Sequence, residues 1–155
     1  MLALPWHLAG IRPENHPARR LAGAARLLVR YLEEGLLAGL LEKVAEASVQ
    51  GPPALTTALR VGGGLIGPGR ADEMVVNVVL PFTLAWAQAR QDEPLAQAAL
   101  ALYQRYPRLS SYGILRRLTA ALGRELTGGA RRQQGMLHLF HRYCRQGGCN
   151  RCPLA

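Results

Sequence analysis

The chain has 155 residues, of which 49% are hydrophobic, with three cysteines and a formal net charge of +9. That length suits a single domain with a core of its own, and the apolar content excludes a chain disordered by composition. The longest apolar run, Met74 to Ala87, is broken by Asn77, Pro81 and Thr83 and falls short of the ~20 residues of a membrane span, so no membrane partner is expected.

The opening Met-Leu-Ala-Leu-Pro-Trp-His lacks the basic stretch and cleavage pattern of a signal peptide, and a cytoplasmic location is the expectation. Residues 1–17 read as irregular, because Pro5, Pro13 and Pro17 interrupt any early helix, with Trp6, His7 and Ile11 packing onto the body. Ala18 to Glu34 has helical periodicity with Leu21, Ala24, Ala25, Leu28, Tyr31 and Leu32 on one face. Gly35 closes it, and Leu36 to Val49 repeats the pattern with Leu37, Leu40, Leu41, Val44 and Ala45 inward, suggesting an antiparallel hairpin.

Ala54 to Val61 reads as a short helix. The following glycine loop satisfies G-x-G-x-x-G at Gly62, Gly64 and Gly67, but Pro68 and Gly69 follow and no βαβ alternation surrounds it. A structural loop with positive φ accounts for it better than a dinucleotide site. Arg70 to Arg90 is apolar on most sides and is expected to be the central helix, kinked at Pro81, with Asn77 buried and in need of a partner. Pro94 to Tyr106 follows with Asp92 as cap, then a helix capped by Ser110 or Ser111 and running to about Leu126. The last helix, Ala130 to about Gln146, ends at Gly147-Gly148, so residues 130–155 form one helix and a tail. The fold class is therefore all-α, one domain over residues 1–155, of about six helices.

The charge is lopsided: residues 102–155 carry ten arginines against Glu125 alone, while residues 1–101 balance to zero. An anionic partner for that end, DNA or RNA first, would meet Arg116, Arg117, Arg131, Arg132, Arg142, Arg145 and Arg151; a merely solvated surface is the other reading. All three cysteines lie in the same region, spaced Cys144-x4-Cys149-x2-Cys152. Reduced thiols at such spacing favour a metal over a disulfide framework, which an odd count also opposes. The C-x2-C pair can grip one tetrahedral ion, the Gly-Gly reversal can bring Cys144 to it, and His141, one turn before Cys144, can be the fourth ligand. His138 and His16 are reserves. The result is a cysteine knuckle holding zinc; an iron–sulfur cluster suits the same thiolates, and thiols packed without any metal remain the third reading.

Three blocks carry a resemblance. Arg12 to Arg20 (RPENHPARR), Leu65 to Phe82 (LIGPGRADEMVVNVVLPF) and Arg132 to Cys144 (RQQGMLHLFHRYC), followed by the Cys149-x2-Cys152-Pro153 ending, resemble the C-terminal part of an uncharacterised bacterial domain-of-unknown-function family. The resemblance implies a longer protein whose N-terminal half carries a carboxylate-based, nuclease-like core; none of those residues is in this chain. The ending alone is similar to the iron–sulfur loop closing some helix-hairpin-helix DNA glycosylases, whose fourth cysteine and catalytic Lys/Asp pattern have no counterpart here. With no Ser/His/Asp set and no paired carboxylates, the chain reads as a non-catalytic accessory module, nucleic-acid-binding or docking a missing N-terminal half or another protein.

Overall fold

The computed structural model describes residues 10–12, 15–110, 112–123 and 128–154. The expectations for Trp6, His7, Ser111 and the 124–126 end of the helix that follows Ser110 lie outside them. The described residues form α1 (Pro17–Arg30), α2 (Leu36–Gln50), α3 (Pro52–Leu59), α4 (Pro68–Met74), a π-helical turn (Val75–Val79), α5 (Leu80–Ala89), α6 (Glu93–Arg105), α7 (Gly113–Leu122) and α8 (Ala130–Arg142). Two 3-10 turns, Cys144–Gln146 and Cys149–Arg151, complete the tail. The fold is all-α, as expected. With α4, the π turn and α5 counted as one rod, the described residues hold seven rods, in keeping with about six. Their only β pairing is an isolated bridge, Val61 to Ile66, which closes the glycine loop. Gly63 and Gly64 turn that loop at φ 68° and 67°, the left-handed region that glycine enters without strain.

The central rod differs from its expectation at Pro81. The chain widens there into the π turn, where Leu80 N–H donates to the carbonyl of Val75. The wider turn places Pro81 at the start of α5, where its missing donor and ring are tolerated. Val75, Val76, Val79, Leu80, Thr83 and Ala87 are buried, and α5 packs along α6. The opposite side is open: Val78 is 60% exposed and Phe82 48%. Asn77 is exposed rather than buried, and its Oδ1 accepts from Gln134 Nε2 of α8 at 2.9 Å.

The α1 face also differs. Gly23, Leu27 and Tyr31 are buried, whereas Leu21 is 60% and Leu32 76% exposed. The cause is Gly23: a methyl there would stand 3.2 Å from Ile66 Cγ1 and 3.3 Å from the Leu65 carbonyl oxygen, so the bare backbone sets which side faces the protein. Arg30 fastens the helix end by donating to the carbonyls of Ala58 (2.6 Å) and Arg60 (2.7 Å). α1 therefore anchors on the 58–66 segment, while α2 packs along α3 and α6, in place of the simple hairpin expected. On α2 the buried residues are Gly39, Val44 and Ala47; Leu37 and Ala45 are exposed.

Asp92 caps α6 as expected, accepting from Leu95 N–H at 3.1 Å. The N-cap position of α7 is Tyr112, whose carbonyl accepts from Arg116 N–H at 3.1 Å, in place of Ser110. The segment between α6 and α7 is pinned to α8: buried Gln133 accepts from Leu109 N–H (2.7 Å) and donates to its carbonyl (3.0 Å), and Ala130 N–H donates to the Tyr106 carbonyl (3.0 Å). No helix among the described residues is long and apolar enough to cross a membrane.

Candidate functional site

The tail folds back through glycine. Tyr143 ends α8, Gly147 turns at φ 65°, and buried Gly148 donates its N–H to the Tyr143 carbonyl at 3.0 Å. This reversal carries the C-x2-C pair back over the end of α8, where Cys152 N–H donates to the Cys149 carbonyl at 3.1 Å. Cys144, Cys149 and Cys152 all line one cavity of about 240 Å³, walled by Leu118 and Leu122 of α7, Met136 and Leu139 of α8, and Leu154. The three are free thiols; Cys144 and Cys152 are half-buried and Cys149 is exposed.

His141 is not brought to that cavity. It is exposed, its ring sits edge-on to Phe140 at 5.4 Å between centroids, and its carbonyl accepts from Gln146 Nε2 at 3.4 Å. His138 and His16 are exposed as well, and His16 Nδ1 accepts from Ala18 N–H at 3.3 Å, capping α1. Among the described residues, no group of three or more His, Cys, Asp or Glu side chains stands as a metal ion would require. The donor chemistry of three thiols around an apolar pocket suits a thiophilic metal; the coordination geometry is not assembled.

The seven arginines are exposed: Arg116 and Arg117 on α7, Arg131 and Arg132 in the first turn of α8, Arg142 at its end, Arg145 and Arg151 on the 3-10 turns. On α8 they stand at its two ends, about 20 Å apart for thirteen residues, with the others on α7 and the tail, rather than gathered at one point. The first turn of α8 holds no acid, so Arg131 adds its charge to the positive end of the helix dipole.

A second polar site has no linear signature. Asp72 of α4 accepts at Oδ1 from Thr56 Oγ1 of α3 (2.5 Å) and from the Tyr106 hydroxyl (2.8 Å), and the two hydroxyl oxygens are 3.1 Å apart. The three residues line a cavity of about 310 Å³ with Arg60, Arg108 and Leu109. Burial holds the Tyr106 phenol well above its ordinary pKa, so it stays protonated. The sequence clue was slight: an acid at the head of an otherwise apolar stretch, and a tyrosine just before Pro107.

Compared with known proteins, the chain matches no family model, no curated protein and no solved structure.

Proposed function

We propose that the chain is a non-catalytic nucleic-acid-binding accessory module, with its basic C-terminal third as the contact surface. The observation that supports this is the spread of exposed arginines over α7, α8 and the tail, in a region whose single acid is Glu125. Guanidiniums distributed over about 20 Å match a run of phosphates better than a point ligand. The cysteine cavity would tie the tail to α7 and α8, held by zinc or an iron–sulfur cluster on Cys144, Cys149 and Cys152, with His141 able to complete the set only by leaving Phe140. Packed thiols without metal would serve the same tie less firmly.

Fluorescence anisotropy with single- and double-stranded DNA and RNA is the test. Affinity at 50 mM salt should fall steeply by 300 mM, and Arg116→Glu with Arg117→Glu should weaken it, while Arg26→Glu on α1 should not. No retention at low salt ends this reading. Elemental analysis and a visible spectrum of anaerobically purified protein separate the cofactors: brown for iron–sulfur, colourless with stoichiometric zinc for a knuckle, neither for plain thiols.

A second reading rests on a different observation. Val78, Phe82 and Leu37 are exposed around an apolar groove of about 250 Å³ between α2 and the central rod. Such a face suits a protein partner, including a separate N-terminal half of the kind the family resemblance implies. A co-purifying partner without nucleic-acid retention would favour it.

A further inference from the structure

We propose that the cavity between α3, α4 and the Tyr106–Leu109 segment binds a small zwitterion, a molecule with an ammonium group at one end and a phosphate-like dianion at the other. This site is separate from the cysteine cavity and from the seven arginines above, and it stands whether or not the chain binds nucleic acid.

The open half of a carboxylate comes first. Asp72 is half-buried, and both hydroxyl donors converge on Oδ1 alone. No donor of the described residues reaches Oδ2, and the atom is not sealed from solvent, since no buried side-chain oxygen lacks a partner among them. An ionised carboxylate has about four acceptor sites; the hydroxyls of Thr56 and Tyr106 orient it and leave half of that capacity open.

The second observation is a separation of opposite charges. Arg60 and Arg108 line the same cavity, yet neither pairs with Asp72; the ion pairs of the described residues are Lys43–Glu46 and Arg70–Glu73. Asp72 and the two arginines border the same cavity of about 310 Å³, a mould in which a cationic group would meet Asp72 and a dianion would meet the arginines. The volume lies at the lower end of small-molecule sites, which limits the ligand to roughly the size of an amino acid or a short phosphomonoester. Tyr106, kept neutral by burial, remains a donor and does not compete with the ammonium for the carboxylate charge.

Isothermal titration of the full chain with O-phosphoethanolamine, inorganic phosphate and ethanolamine tests the site. Phosphoethanolamine should bind at least about tenfold more tightly than either fragment, the gain of adding one charge-assisted contact. Asp72→Asn retains an oxygen acceptor for both hydroxyls, so it should remove that preference while leaving phosphate binding unchanged. The pair Arg60→Ala and Arg108→Ala, at exposed positions, should abolish binding of both anions without affecting the melting temperature. Equal affinity for phosphate and phosphoethanolamine, no binding of either, or an unaltered titration in the arginine double variant would overturn the proposal; the last arm holds even if Asp72→Asn fails to fold.

Discussion

The stretch before residue 111 and the stretch after it hold together differently. Apart from Ala130, every member of the main buried cluster lies between Leu27 and Leu109, and the central rod crosses it. After that point burial is thin: Leu115 and Met136 are covered, Gln133 reaches back to Leu109, and Gly148 sits under the tail. The same thin stretch has most of the charge imbalance, eight arginines against Glu125, and all the thiols. A region with little apolar burial depends on pins and staples, because its core alone does not offset the chain entropy lost on ordering. The difference teaches where function has room: the first region is committed to packing, whereas the second exposes its chemistry.

Breaking the first region should have the largest effect. Leu102→Ala removes a fully buried side chain of α6 and should cost about 2–5 kcal/mol in urea unfolding, with every spectroscopic signal shifting together. Cutting the link between the regions comes next. Gln133→Ala leaves both polar backbone groups of Leu109 without their partner, about 2 kcal/mol, and hydrogen exchange should speed up in α8 before it does in α5. A pH titration sharpens the contrast further. The Tyr106 pKa is raised above the ordinary 10.0, so its contribution is fully present below pH 10.0 and is lost as pH climbs toward the folded value. Stability should therefore fall with a steeper slope above that pH than in Tyr106→Phe. The smallest effect belongs to the surface: Lys43→Ala breaks an exposed i, i+3 pair with Glu46 and should leave the unfolding midpoint within error.

Much of the fold could be read from punctuation. Pro52, Pro94, Pro107, Gly35, Gly51 and the Gly147-Gly148 pair mark helix ends within a few residues of where the structure has them, and Asp92 caps as its position suggested. Faces were less legible. Periodicity counts bulky apolar residues, so it pointed to Leu21, Leu28 and Leu32, whereas contact on α1 is decided by Gly23, which contributes no hydrophobicity and great proximity. The cysteine spacing suggested a common metal, and the structure gives the three thiols one cavity; the i, i+3 relation of His141 to Cys144 could not show that the chain leaves α-helical geometry at Tyr143 and so breaks their alignment. Thr56, Asp72 and Tyr106 were invisible as a group because they are brought together only by the packing of α3, α4 and the end of α6.

The extra residue accommodated at Val75–Val79 has a consequence for everything downstream. Each residue of an α-helix advances about 100° around the axis, so the wide turn resets the angular phase of α5 relative to α4. That offset puts Thr83 and Ala87 inward and leaves Phe82 stacked on Trp86, which in turn lies under the Arg90 guanidinium at 3.5 Å. Deleting a single residue there would close the wide turn to ordinary α-helix and leave α5 in its present phase, whereas the same deletion within α4 would swing the aromatic ladder by about 100° around the rod axis. The middle of the longest rod is therefore where the chain best absorbs the loss of one residue.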